Sequence, residues 1–162
     1  MLRWLALLLA MLIAAPASAH PVPFSYLDLN LQGQALTGTL TVHQYDLAHE
    51  YGFPDPTMAE DARFLDEHRT DIAALFDRRL HLAAGQPLRL AWTGIRPMPE
   101  RNAIQLTFRA SGPIGGKLTY SGSLFPYDPQ HETFINIYDD GTLASQWIMS
   151  AKSPPHLYLQ TL

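Results

Sequence analysis

Residues 24–43 read Phe-Ser-Tyr-Leu-Asp-Leu-Asn-Leu-Gln-Gly-Gln-Ala-Leu-Thr-Gly-Thr-Leu-Thr-Val-His, and this stretch decides the fold. Ser25, Leu27, Leu29 and Leu31 fall on one face against Tyr26, Asp28 and Asn30 on the other. That is the two-residue period of a half-buried strand. Gln32-Gly33-Gln34 supplies a tight turn, and the alternation resumes with Leu36, Leu40 and Val42 opposite Thr37, Thr39, Thr41 and His43. Residues 24–44 therefore predict a β-hairpin whose Thr-rich face meets water.

Further along, Asp46 is positioned to cap a short turn from Leu47 to Tyr51, and Phe53-Pro54-Asp55-Pro56 reads as a stiff linker. Thr57 with Glu60 makes a capping box, and Phe64, Leu65, His68, Ile72, Leu75 and Phe76 form one apolar stripe. That spacing predicts a single helix over residues 58–78. Strand patterns return at Leu80–Ala83, Leu88–Ile95, Ala103–Ala110, Lys117–Leu124, Thr133–Tyr138, Leu143–Ser150 and Leu157–Thr161. Asp139-Asp140-Gly141 is the clearest late hairpin turn. Many strands with one inserted helix and no regular helical crossovers predict a mainly β chain, an Ig-like antiparallel β-sandwich.

Upstream of the hairpin, Arg3, an apolar run from Trp4 to Ala15 and the small residues Ala17-Ser18-Ala19 have the order of a cleavable signal peptide. The expected division is a leader over residues 1–19 and one domain over 20–162, exported to a periplasmic or extracellular space. No later segment reaches the ~18 apolar residues of a membrane span. The formal net charge of −4 becomes one unit more negative once Arg3 departs, which argues against nucleic acid or an anionic membrane surface as partner. With no cysteine, the core holds the fold without disulfides, and thiolate is unavailable as nucleophile or metal ligand.

The chemistry is defined first by exclusion. The chain has no Gly-x-Ser-x-Gly elbow, phosphate-cradling loop or dinucleotide fingerprint, and His49-Glu50 and His131-Glu132 lack the second His of a zincin helix. Seven histidines remain. Cleavage after Ala19 would make His20 the first residue, so that its free amine and ring Nδ1 chelate one ion and a further imidazole completes a three-nitrogen site suited to copper. Pro21 has no amide hydrogen and Val22 stands where a third-position His would be needed, so a chelate of successive deprotonated amides is excluded. His131 is the first candidate for the supporting ligand because a Pro-containing loop from Tyr127 runs into the strand beside it. His49 and then His43 follow. His68 lies on the apolar stripe, where a core histidine is the simpler reading, and His81 and His156 have no partner at a telling distance.

The segments His20-Pro-x-Pro-x-Ser25-Tyr-Leu-x-Leu, the hairpin ending near Asp46-Leu47, Phe64-Leu65-x-x-His68 and His131-x-Thr-Phe-Ile-x-Ile resemble the exported N-terminal domain of HupE/UreJ-type membrane proteins. In that family the domain precedes a transmembrane bundle linked to nickel or other metal handling. This chain stops at Leu162 without such a bundle, which makes transport by the chain alone implausible. The N-terminal His also resembles copper-binding β-sandwich proteins of the histidine-brace kind. The resulting expectation is a transition-metal carrier or sensor rather than an enzyme, taking copper ahead of nickel and no organic cofactor, with a membrane transporter as possible partner. The competing expectation is a metal-free interaction ectodomain that docks onto a membrane partner through a strand edge or the Trp147 and Tyr158 region.

Overall fold

The computed structural model describes residues 24–112, 114 and 116–159. The expected leader, His20 and the end of the last expected strand lie outside those residues. Nine strands are found among the described residues: β1 (Phe24–Gln32), β2 (Ala35–His43), β3 (His81–Ala83), β4 (Arg89–Met98), β5 (Ala103–Ser111), β6 (Lys117–Ser121), β7 (Glu132–Asp139), β8 (Thr142–Ser150) and β9 (His156–Leu159). They form a six-stranded sheet in the order β4-β5-β2-β1-β7-β8 and a three-stranded sheet in the order β3-β6-β9. The chain is mainly β, as its period-2 patterning predicts.

The hairpin pairs in register from Tyr26 opposite Thr41 to Gln32 opposite Ala35. Asp140 (φ 47°) and Gly141 (φ 80°) are both left-handed and join Asp139 to Thr142, as a two-residue turn between twisted strands requires. One pairing departs from the antiparallel expectation. β1 and β7 run parallel, with Phe24 beside Glu132 and Ser25 beside Thr133. Parallel neighbours need a long crossover, and here the chain makes most of the fold between them.

Leu27, Leu29 and Leu31 of β1, Leu36, Leu40 and Val42 of β2, Ile104, Leu106 and Phe108 of β5, and Ile135 and Ile137 of β7 are buried together. Leu82, Leu118 and Tyr120 of the small sheet join the same core. The sheets therefore share one interior, an arrangement consistent with a β-sandwich.

The single helix expected over residues 58–78 is instead a 3₁₀ turn (Pro56–Glu60) followed by two α-helices, α2 (Ala62–Glu67) and α3 (Arg69–Asp77). The expected capping box gives way to Asp55, whose Oδ1 accepts from both the backbone and hydroxyl of Thr57, and to Asp61, which caps α2 through the Arg63 amide. His68 divides the pair: its ring Nδ1–H donates to the Phe64 carbonyl at 2.8 Å and its backbone leaves helical geometry at φ −101°, ψ 4°. The same carbonyl still accepts the His68 amide at 3.1 Å, so the last ladder bond of α2 is intact and the helix ends with the turn of the His68 backbone. The apolar stripe still does its work, burying Leu65, Ile72, Leu75 and Phe76.

Leu47 to Tyr51, expected as a short turn, belong to a two-turn helix, α1 (Gln44–Tyr51). Its N-cap is His43, whose Nδ1 accepts from the Tyr45 amide at 3.4 Å, and not Asp46. The hairpin thus runs without a linker into a helix that folds back over one end of the large sheet.

Candidate functional site

Three segments meet at that end. β1 begins with Phe24 and Ser25, α1 leaves the end of β2, and the loop from Phe125 to His131 feeds β7. The loop is held by two backbone bonds, Asp128 N–H to Phe125 at 3.1 Å and His131 N–H to Asp128 at 3.2 Å. The Asp128 side chain also accepts from the Gln130 amide at 2.8 Å. Because β7 lies parallel beside β1, this loop delivers His131 next to the first inward-facing residue of β1, Ser25.

His131 is 4% exposed, Ser25 0% and Asp46 3%. Ser25 Oγ lies 2.9 Å from His131 Nε2. On the other side of the ring, Nδ1 stands 3.6 Å from Asp46 Oδ2. The second carboxylate oxygen, Oδ1, accepts from the Tyr127 hydroxyl at 2.6 Å. Phe125 packs against the imidazole with ring centroids 4.7 Å apart, and His49, one turn beyond Asp46 on α1, stacks on Tyr127 at 3.7 Å. The result is a row of polar groups, Ser25 to His131 and Asp46 to Tyr127, interrupted between His131 Nδ1 and Asp46 Oδ2.

Burial governs its electrostatics. It lowers His131 to about 4, with Asp128 opposing the shift, so the ring is neutral at pH 7. Burial also raises Asp46 to about 6, opposed chiefly by the Tyr127 hydrogen bond, and leaves the carboxylate mostly ionised at pH 7. Tyr127 is pushed upward by burial and by its bond to Asp46. The close approach of His131 to Asp46 is not an ion pair, since the ring is uncharged, and 3.6 Å is too long for a hydrogen bond. Both facing atoms, His131 Nδ1 and Asp46 Oδ2, are buried without a hydrogen-bond partner.

The order Ser-His-Asp is that of a catalytic relay. Ser25 has no exposed surface, so its hydroxyl is closed to an acyl substrate.

Of the expected ligands, the structure brings His131 to the base of this site and His49 to its outer side, held on Tyr127. His43 lies one helical turn away, capping α1 and stacked on Tyr45 at 5.3 Å, with its pKa lowered by burial. His68 is satisfied by Phe64. His81 lies in the small sheet and His156 stacks on Trp147 at 3.8 Å, away from the site. Among the described residues, no three His, Cys, Asp or Glu side chains are already gathered to hold an ion. Two participants escaped sequence reasoning. Asp46 read as a cap, and Tyr127 as a loop residue. Ser25 carried a signal, since it shares the face of Leu27, Leu29 and Leu31 and a buried hydroxyl needs a partner.

No family model matches the chain, and no curated protein is significantly similar to it. No helix among the described residues is long and apolar enough to cross a membrane.

Proposed function

We propose that this chain is an exported transition-metal-binding protein, a carrier or sensor with an Ig-like sandwich, whose site joins the amine and ring of His20 to His131. The observation that carries this reading is the orphaned Nδ1 of His131, buried beside the start of β1. His20 precedes Ser25 by five residues, a reach of roughly 17 Å when extended. An N-terminal chelate is therefore within range of a buried imidazole nitrogen that has no hydrogen-bond partner. His49, on the same end, is the alternative supporting ligand, and His43 the next. A neutral ring is the form that binds metal, and nitrogen donors without thiolate favour Cu²⁺, with Ni²⁺ next. The resemblance to the HupE/UreJ ectodomain points to the same chemistry, to a periplasmic location and to a membrane transporter as recipient.

The test is mass spectrometry of the exported protein, expected to show His20 as the first residue, followed by Cu²⁺ titration. Binding should be stoichiometric and lost in His20→Ala. Unchanged affinity after one extra residue is placed before His20 overturns the chelate.

A second reading, the metal-free interaction ectodomain, is favoured by Leu143 and Ile148 of the edge strand β8 and Leu157 and Leu159 of β9, which are 41–62% exposed. An exposed strand edge with apolar side chains invites a partner. It gains if the mature protein binds no Cu²⁺ at all.

A further inference from the structure

We infer that Asp46 Oδ2 and His131 Nδ1 are the two protein ligands of a divalent-cation site at the end of the large sheet. The inference deepens the metal-binding reading by adding a carboxylate that the sequence does not advertise. It needs His131 but not His20.

The geometry carries it. Each side chain has one polar atom that is held and one that is not. His131 Nε2 is 2.9 Å from Ser25 Oγ, and Asp46 Oδ1 is 2.6 Å from the Tyr127 hydroxyl. The inner atoms, Nδ1 and Oδ2, face each other across 3.6 Å without any partner. Metal-ligating imidazoles and carboxylates are held in this way, with outer atoms fixed by hydrogen bonds so that the inner lone pairs point at the ion. Two buried orphan acceptors are costly unless something satisfies both.

The separation discriminates between occupants. If His131 carried its proton on Nδ1, a hydrogen bond to Asp46 would draw the atoms to about 2.7–3.2 Å. Assigning the proton to Nε2, where Ser25 Oγ accepts it, leaves a lone pair facing a carboxylate lone pair, an arrangement that a cation between them relieves. Ligand atoms at about 2.0–2.1 Å from a tetrahedral ion lie roughly 3.4 Å apart, close to the gap observed. One imidazole and one anionic oxygen suit Zn²⁺, Cu²⁺ or Ni²⁺, and the absence of thiolate and thioether ligands disfavours Cu⁺. The charge of Asp46 also offsets half that of the ion in this buried place. The exposed ring of His49 lies on Tyr127, whose hydroxyl holds the outer oxygen of Asp46. His49 sits three residues after Asp46 on the same helical face.

The experiment is titration of EDTA-treated mature protein with Cu²⁺ by calorimetry, in wild type, Asp46→Asn, Tyr127→Phe and His20→Ala. Asp46→Asn is expected to weaken binding at least 100-fold, and Tyr127→Phe, which frees Oδ1, by about 10–100-fold. Asp46→Asn binding Cu²⁺ as wild type does overturns the inference. The two metal readings part cleanly. Loss in Asp46→Asn with His20→Ala unaffected upholds the carboxylate site and removes the terminal chelate. Loss in His20→Ala alone does the reverse, loss in both means that they share one ion, and absence of binding in wild type defeats both. Should Asp46→Asn fail to fold, nitrogen-15 NMR of wild-type imidazoles on addition of Zn²⁺ decides. Nδ1 of His131 must shift on binding, and an unmoved His131 resonance refutes the site.

Discussion

Arg79 is the side chain whose loss should loosen both fold and site. Its Nη2 bonds Glu50 Oε2 on α1 at 2.5 Å, and its Nη1 bonds the carbonyl of Leu124 at 2.6 Å, just before the loop that carries Tyr127 and His131. It thereby clasps the two segments that supply Asp46 and His131. The pair side chains are 18% and 13% exposed, so cutting it strands a largely desolvated carboxylate. Breaking a buried pair costs about 3–5 kcal/mol, and depriving a buried carbonyl of its donor about 1–3 kcal/mol. Residual solvent access at both ends pulls the sum toward its lower end, about 4 kcal/mol, for Arg79→Ala. Against a domain stability of about 5–15 kcal/mol this is a substantial share. Glu50→Gln keeps an acceptor and should cost about 1 kcal/mol. Arg63 bonds Glu67 at a comparable 2.9 Å, but these side chains are 86% and 57% exposed, so Arg63→Ala should cost no more than about 0.5 kcal/mol. Urea denaturation of the metal-free variants, followed by tryptophan fluorescence, gives the numbers. If Arg79→Ala falls within about 0.5 kcal/mol of Arg63→Ala, the clasp argument is wrong.

Three further outcomes follow from the same contacts. Gly38 lies under the Phe108 ring, where an added Cβ would meet Cζ at 2.0 Å, so Gly38→Ala should displace a buried aromatic and cost about 1–3 kcal/mol in thermal melts, whereas an unchanged melting temperature would show that the ring yields freely. In the metal-free protein Asp46, raised to about 6, favours the fold at low pH and loses that advantage as pH rises through 6, while His131, lowered to about 4, favours it above its unfolded value near 6.5 and loses that as pH falls through 4. The opposed linkages make the pair's contribution nearly flat between pH 6.5 and 4, and His131→Gln should gain stability relative to wild type on acidification across that range; urea midpoints that fall instead would contradict the assignment. Loading with Cu²⁺ at about 100 times its dissociation constant should add about 2.7 kcal/mol to stability, removable with EDTA, and a melting temperature indifferent to both reagents would count against any site in the native fold.

The strands were legible because a period of two needs no knowledge of the partner. Leu27, Leu29 and Leu31 point inward whatever lies beside them, and the Asp140-Gly141 turn declares itself through two left-handed residues. Parallel pairing of β1 with β7 was not legible, because the alternation is the same for either direction. The helical region failed for a local reason. His68 belongs to the apolar stripe by its spacing, and periodicity does not register that its backbone leaves helical geometry at φ −101°, ψ 4° and ends α2. Asp46 failed for the converse reason. An acidic residue before Leu47 has the grammar of a cap, yet His43 opens the helix three residues earlier, leaving Asp46 free to face the core and Tyr127.

The site was half visible for a reason that follows from this asymmetry. Its oddest sequence feature is a hydroxyl in a row of leucines, Ser25, and a polar residue on a core face predicts a partner without naming it. The partner is 106 residues away, fixed by the parallel register that periodicity leaves open. His131 was nominated through the stiffness of its loop, and the structure places it beside Ser25, but selecting Asp46 required knowing that α1 folds across the same sheet end. Hydrogen bonds to Ser25 and from Tyr127 then orient the ring and the carboxylate, and two unpartnered atoms are left facing one gap. Evenly distributed cap, loop and strand signals can only nominate those residues singly. The three-dimensional crossing brings them together, so the inferred carboxylate site stands or falls on Asp46 and His131 acting together.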